Sequence, residues 1–256
     1  QIRKIIISTL SVSVFAGSLT PSQGSVNGIG TNSRFYYPSS LSLSSDQSYC
    51  LVADSSNNQI RKIIISTQQV SLFAGSSSTV AGYVNGVGSN SKFNNPFGVS
   101  ISPDMTFALT SDTNNNEIRK IILSTQQVSL FAGGLIGSSN GIGTNVLIYN
   151  PNGVSLSSDN SYALIADTFN HQIRKLILST QEVSLIAGSS SASSGSSNGI
   201  GSNSLFYNPR GIDLSPDNSY CLIADTSNNQ VRKITMSTLQ VSLFAGSPSL
   251  TYGTTN

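Results

Sequence analysis

The chain has 256 residues, of which only 9% are charged, and its formal net charge is +2. This near-neutral balance argues against a nucleic-acid binder, because phosphate contacts need a basic surface. No apolar run is long enough to cross a membrane as a helix.

A tetrad of the type Ile-Arg-Lys-Ile recurs five times, and its arginines are 58, 58, 55 and 58 residues apart. An Asp precedes four of these arginines by seven residues, and a Gly follows each by fourteen. A fixed period of this size indicates a propeller or a solenoid, in which neighbouring units cover each other's apolar faces. The structural repeat positions are Arg3, Arg61, Arg119, Arg174 and Arg232, with Asp54, Asp112, Asp167 and Asp225.

The period divides the chain into units of approximately 1–58, 59–116, 117–171 and 172–229, followed by a partial unit 230–256. The shorter interval loses its three residues between Gly133 and Asn140, where other copies have a Ser/Gly-rich stretch. Surface loops tolerate such length changes.

Four strands are predicted in each unit, and 98–132 illustrates them in chain order. An alternating run at 98–102 ends in Ser-Pro-Asp, a short apolar run follows at 107–110, and a β-branched run covers 118–123. A last run at 128–132 closes the unit before a glycine. Aliphatic residues fall on both faces of the third run, so the sheet needs cover on both sides. The pattern predicts antiparallel, four-stranded propeller blades, although a stacked solenoid would also cover both faces.

Several recurring elements resemble NHL repeats. Runs such as 52–63 and 223–234 combine Ala-Asp, Asn-Asn, Gln-Ile/Val and Arg-Lys-Ile, and Phe-Ala-Gly follows at constant spacing. The resemblance covers the whole chain and implies an all-β propeller, often of six blades. Leu176, Thr110 and Ile186 depart from the common pattern as ordinary variation in a packed repeat.

Residues 1–27 and 230–256 are the same portion of the repeat. The count is therefore four full blades plus a half blade. We expect these residues to belong to a longer polypeptide, forming either a six-bladed ring of roughly 350 residues or a longer array.

Chemistry is sparse in this sequence, and no cofactor or catalytic set is predicted. The single histidine, His171, replaces a turn asparagine, and one histidine cannot build a metal centre. Cys50 and Cys221 occupy equivalent places in separated blades and are expected to be buried free thiols.

Oxygen-rich turns make a structural cation the one metal hypothesis. Each Asp-x-x-Asn-Asn-type turn places carboxylate and amide oxygens within five residues, and such oxygens suit hard cations. The favoured interpretation is that these side chains satisfy the turn backbone. The candidates for a turn cation are Asp54, Asp112, Asp167 and Asp225.

The sequence favours a non-catalytic structural or protein-interaction scaffold, with a protein partner or self-assembly. Low charge and Ser-rich loops favour an extracellular or cell-surface location and sites for O-linked glycans. An RNA-binding propeller, as the resemblance allows, is the first alternative, and an enzyme with active residues outside this segment is the second. Four loop tyrosines that are good interface anchors are the candidate partner contacts: Tyr36, Tyr37, Tyr83 and Tyr207. The competing interpretation packs Tyr36, Tyr37 and Tyr207 beside neighbouring phenylalanines.

Overall fold

The structure is a computed structural model that describes residues 1–20 and 22–247. Within these ranges the chain consists of β-strands, single 3-10 turns and loops. The predicted all-β propeller class is confirmed, because the strands form antiparallel sheets of the blade type.

The first sheet, here called the half-blade, contains two antiparallel strands, β1 (Ile2–Ile6) and β2 (Ser11–Ala16). Four five-stranded sheets follow, here called blades 1 to 4. Blade 1 contains β3 (Gly28–Ile29), β4 (Pro38–Leu43), β5 (Tyr49–Asp54), β6 (Gln59–Ile64) and β7 (Gln69–Ala74). Blade 2 contains β8 (Gly86–Val87), β9 (Pro96–Ile101), β10 (Phe107–Asp112), β11 (Glu117–Ile122) and β12 (Gln127–Gly133). Blade 3 contains β13 (Gly141–Ile142), β14 (Pro151–Leu156), β15 (Tyr162–Asp167), β16 (Gln172–Ile177) and β17 (Glu182–Ala187). Blade 4 contains β18 (Gly199–Ile200), β19 (Pro209–Leu214), β20 (Tyr220–Asp225), β21 (Gln230–Thr235) and β22 (Gln240–Gly246).

All four blades share one strand order, which in blade 1 is β3-β7-β6-β5-β4. Each blade has one strand more than the four predicted from the sequence. We call this short extra strand the fifth strand, although it comes first in chain order within its blade, as β3 does in blade 1. It comes from the Asn-Gly segment, where Gly28 and Ile29 pair with Val70 and Gln69. Blade boundaries are also offset from the sequence units, since each blade starts at the Asn-Gly segment.

Both faces of a blade are apolar, and strand β6 shows how. Ile60 packs on one face with Leu51 and Phe73, while Ile63 packs on the other with Cys50 and Val70. A register shift between Ile60 and Arg61 marks a bulge, a device that redirects side chains in a strand.

Lysines of strands β6 and β16 cover aromatic rings of the preceding strands β5 and β15. The ammonium group of Lys62 lies 4.1 Å from the centroid of the Tyr49 ring, and that of Lys175 lies 4.2 Å from the Tyr162 ring. The lysine stems thereby cover apolar surface while the charge gains a cation–π contact.

The chain divides into two compact units. Unit 1 comprises Gln1–Thr110 and Lys120–Ser129, and unit 2 comprises Ser111–Arg119 and the residues from Leu130 onward. In unit 1, the apolar face of β5 and β7 packs against Phe93, Val99 and Ile101 of the following blade. In unit 2, Leu164 and Ile186 of blade 3 pack in the same way against Phe206 and Leu214 of blade 4.

Candidate functional site

Each of blades 1 to 4 contains a buried ion pair between an arginine and an aspartate. The Nη1 atom of Arg61 lies 3.0 Å from Oδ2 of Asp54, and the Arg174–Asp167 distance is 3.1 Å. The pairs Arg119–Asp112 and Arg232–Asp225 repeat this geometry at 3.0 Å, and all eight side chains are fully buried. The seven-residue spacing produces the pair because it brings Asp and Arg together across the hairpin of the second and third strands.

Asparagine residues of the Asn-Gly segments complete these pairs. Arg61 donates from Nη2 to Oδ1 of Asn27 at 2.6 Å, and Arg232 donates to Oδ1 of Asn198 at 2.8 Å. Arg174 and Asn140 make the same bond at 3.0 Å. The guanidinium group therefore bonds the residue just before the short fifth strand to the rest of the blade. Sequence reasoning missed this role, because the bonded residues are 34 positions apart.

The turn aspartates are hydrogen-bonded to the arginines and to neighbouring turn residues. The other oxygen of Asp54 accepts the Tyr36 backbone N–H at 2.7 Å, and Asn57 donates to Oδ2 at 2.8 Å. Burial raises the pKa of Asp54, and it raises the pKa of Asp167 to about 6, against the opposing effect of these hydrogen bonds and of the arginine. The oxygens offered as metal ligands in the sequence thus serve the protein's own backbone and side chains.

His171 occupies the turn position that asparagine fills elsewhere. Its φ is 56°, close to the 55° of Asn58, so both residues adopt the left-handed conformation that asparagine tolerates. Asn58 accepts the Asn95 backbone N–H through Oδ1, and His171 accepts the Asn208 backbone N–H through Nδ1 at 3.2 Å. Burial lowers the pKa of His171, in keeping with a neutral ring that accepts at Nδ1.

The candidate tyrosines lie on loops. Tyr37 and Tyr83 in unit 1 are 73% and 75% exposed, and Tyr36 is partly exposed. In unit 2, the exposed Tyr207 meets His171 edge to face at 5.5 Å. The neighbouring Phe35 and Phe206 are buried, so the phenylalanines serve the core while the tyrosine rings remain at the surface.

Sequence reasoning overlooked a second aromatic pair in unit 2. Tyr149 and Phe169 meet edge to face with centroids 5.1 Å apart, and both rings are exposed. The available signal was the repeat itself, since Tyr149 stands where other copies have Tyr36 and Tyr207.

Metal-ligating side chains are scattered in the described part of the chain. Residues 1–20 and 22–247 contain no cluster of three His, Cys, Asp or Glu side chains able to hold a metal ion. Cys50 and Cys221 are buried free thiols. The same residues include no helix with the length and apolar character needed to traverse a bilayer.

Sequence and structure comparisons place these repeats among known proteins. No protein-family model matches the chain. It is 27% identical over 165 residues to NHL repeat-containing protein 2 from Bos taurus, covering 59% of this chain and 22% of that protein. It is 32% identical over 151 residues to the protein SUPPRESSOR OF QUENCHING 1, chloroplastic, from Arabidopsis thaliana, covering 56% and 14% respectively.

The chain therefore matches about a fifth or less of the length of these curated relatives. Among solved structures, a protein of unknown function from Bacteroides thetaiotaomicron VPI-5482 is similar with a TM-score of 0.61 and 22% identity. The match covers 76% of this chain and 46% of that one, and at this identity it supports the fold alone. The resemblance to NHL repeats inferred from the residues is confirmed by the NHL-named relatives and by the blade architecture.

Proposed function

We propose that this protein is a non-catalytic scaffold that binds a protein partner through its loop aromatics. The observation that carries the proposal is that the repeat buries its charged side chains and exposes aromatic side chains on its loops. The recurring Arg and Asp side chains are buried and bonded to each other. The loops instead expose aromatic rings, both at one position shared by three copies and at positions that are aromatic in a single copy. Exposed tyrosines supply large contact area at low entropic cost and are enriched among interface anchors.

Each unit offers its own aromatic surface. Unit 1 presents Tyr36, Tyr37 and Tyr83, and unit 2 presents Tyr207 with the Tyr149–Phe169 pair. Uncharged, Ser-rich loops such as 189–194 lie between the strands. Their composition supports an extracellular setting as part of this proposal.

The proposal is tested by photo-crosslinking with the 256-residue protein as bait and mass spectrometry as the readout. We expect the Tyr37→Ala/Tyr207→Ala variant to lose at least fivefold of its specific crosslinked protein. The matched control is Ile29→Ala/Ile200→Ala, which removes two exposed aliphatic side chains from fifth strands in the same two units.

Two results would count against the proposal. Equal crosslinking by the tyrosine variant and the wild-type protein would exclude these loops as the contact surface. The second result is binding of single-stranded RNA whose affinity falls steeply with added salt and is lost in the tyrosine variant. That result would assign the surface to nucleic acid.

A further inference from the structure

His171 closes the turn between strands β15 and β16, at a position where the other blades carry asparagine. The equivalent residues are Asn58, Asn116 and Asn229. All four residues have left-handed φ values between 55° and 58°, so the backbone of this turn is the same in each blade. The difference is chemical, because an imidazole ring gains a proton in mildly acidic solution and a side-chain amide does not.

The side chain at this position holds the loop that leads into the following blade. Oδ1 of Asn58 accepts the backbone N–H of Asn95 at 2.7 Å, and Oδ1 of Asn116 accepts that of Asn150 at 2.8 Å. In both copies the donated N–H belongs to the residue directly before the first long strand of that blade. The turn of one blade thus fixes the loop of the next through a single hydrogen bond.

In blade 3 the acceptor of this hydrogen bond is a ring nitrogen. Nδ1 of His171 accepts the backbone N–H of Asn208 at 3.2 Å. A nitrogen that accepts carries no proton, so the neutral ring holds its proton on Nε2. Protonation of the ring adds a hydrogen to Nδ1 and turns the acceptor into a donor. The N–H groups of His171 and Asn208 then face each other, and the bond is lost.

This hydrogen bond fixes one side of the loop that carries Tyr207. Asn208 follows Tyr207 directly and has a left-handed φ of 51°. The other side of the loop is fixed by Asp225, whose Oδ1 accepts the backbone N–H of Tyr207 at 2.8 Å. The exposed Tyr207 ring also meets the His171 ring edge to face, with centroids 5.5 Å apart. The position of this candidate partner contact therefore depends on His171 through both a hydrogen bond and a ring contact.

The groups around His171 set the direction of the pH dependence. Burial lowers the pKa of His171 below its ordinary value of about 6.5, whereas the Thr168 carbonyl and the Asp225 carboxylate act in the opposite direction. Asp225 is already paired with Arg232 at 3.0 Å, so it compensates an added positive charge only in part. The ring is therefore neutral at pH 7.5, where the bond to Asn208 is intact. The bond is lost as the pH falls through the pKa of His171.

We propose that protonation of His171 acts as an acid-sensitive switch of the partner surface in unit 2. The neutral ring holds Asn208 and positions Tyr207. The protonated ring releases the loop, so Tyr207 loses its fixed orientation and the protein partner dissociates more readily. This inference rests on the proposed function and adds the regulation of the same site. In unit 1 the equivalent acceptor is Asn58, so the loop that it holds does not respond.

The local switch is tested by nuclear magnetic resonance on the 256-residue protein with isotope-labelled asparagine, titrated from pH 8 to pH 5. We expect the backbone amide signal of Asn208 to shift with the same midpoint as the imidazole signal of His171. Its protection against hydrogen exchange should fall at least fivefold, after correction for the intrinsic effect of pH. The amides of Asn95 and Asn150 are internal references, because their acceptors do not titrate. An Asn208 signal that does not follow the His171 midpoint would overturn the proposal.

His171→Asn is the matched variant, because it restores the residue that the other blades carry and keeps an acceptor for the Asn208 N–H. It should abolish the transition at Asn208. Asp167 lies on the same hairpin and titrates in the same range, since burial raises its pKa to about 6, and the variant leaves it in place. A transition that persists at Asn208 in His171→Asn would assign the effect to Asp167 and reject the switch.

Photo-crosslinking at pH 7.5 and at pH 5 connects the switch to the partner. The wild-type protein should lose at least threefold of its crosslinked protein at pH 5, whereas His171→Asn should lose little. Equal losses in the two proteins would overturn regulation by His171 and leave the proposed function standing. Absence of tyrosine-dependent crosslinking at pH 7.5 would instead reject the proposed function, and the Asn208 titration would still decide whether the loop switches.

Discussion

Each buried arginine holds together parts of the chain that lie far apart in sequence. Arg174 binds Asp167 across one hairpin and Asn140, the residue before strand β13 of the same blade. Burying either charge alone would be costly, because both lose their hydration. Each charge of the pair therefore depends on the other, and removing one leaves a buried charge without its partner.

Arg174→Gln should destabilise the protein by about 3–5 kcal/mol at pH 8, where Asp167 is left as an unpaired buried carboxylate. The loss should be smaller at pH 5. Burial raises the pKa of folded Asp167 to about 6, whereas its unfolded value is close to 3.8, so at pH 5 the folded carboxyl holds a proton. Urea denaturation at both pH values measures the difference.

The sign of this pH dependence follows from linkage. A carboxyl whose folded pKa is raised binds more protons in the folded state, so its contribution to stability is lost as pH rises through that pKa, about 6 in the wild-type protein. Arg174 lowers the pKa of Asp167, so this pKa rises further in Arg174→Gln, and the variant loses more stability than the wild-type protein as the pH rises above 6. Arg34→Gln, an exposed site, should shift stability by less than about 0.5 kcal/mol at either pH. Equal losses for Arg174→Gln at pH 5 and pH 8 would contradict the role given to the carboxylate.

Bonds between residues close in sequence could be predicted from the sequence, whereas bonds between residues far apart could not. The Asp–Arg spacing of seven residues allows a local pair to be predicted, because a hairpin brings such residues together. The bond from Arg61 to Asn27 could not be predicted, since it depends on where a loop of variable length places the Asn-Gly segment. Exposure of the tyrosine rings depended likewise on tertiary packing of Phe35 and Phe206.

Among the structural elements, the last strand of each blade in chain order, such as β7, ends at or just before a glycine with a positive φ. Another residue would be strained there. Gly75 has a φ of 103°, and a Cβ atom there would lie 2.6 Å from the carbonyl oxygen of Asn58. Its N–H donates to the Gly88 carbonyl oxygen at 3.1 Å and to the Ser91 hydroxyl at 3.0 Å. The glycine thus allows the strand end to approach the neighbouring turn closely.

Gly75→Ala should destabilise unit 1 by about 1–3 kcal/mol, because alanine disfavours this φ and its methyl group meets backbone. Gly211→Ala is the matched control: its φ is not in the left-handed region, and its nearest contact would be the Ala224 methyl group at 3.3 Å. Urea denaturation compares the two variants. Equal midpoints for both would show that the close approach at Gly75 relaxes without cost.

The long strands were predictable and the short ones were not. The runs predicted at 98–102 and 118–123 correspond to Pro96–Ile101 and Glu117–Ile122, because each has enough residues to show its pattern. The fifth strand, such as Gly86–Val87, contains two residues and carries no periodicity.

At the scale of the whole molecule, two equivalent thiols lie in different packing environments. Cys50 in unit 1 lines an apolar groove together with Phe15, Leu41 and Leu43. Cys221 in unit 2 is completely buried in the cluster formed by blades 3 and 4. Burial raises the pKa of Cys50 to about 11 and that of Cys221 to about 12. Both are therefore overwhelmingly protonated at pH 8, and their labelling requires local opening of the surrounding sheet.

Native-state labelling with iodoacetamide at pH 8 should modify Cys50 at least tenfold faster than Cys221, because the groove leaves Cys50 covered on one side by little more than the half-blade. Peptide mapping by mass spectrometry gives the two rates. In 8 M urea the rates should become equal, which shows that structure rather than local sequence sets the difference. If Cys221 reacts as fast as Cys50 under native conditions, the two units open with similar ease and the groove does not weaken the packing around β5.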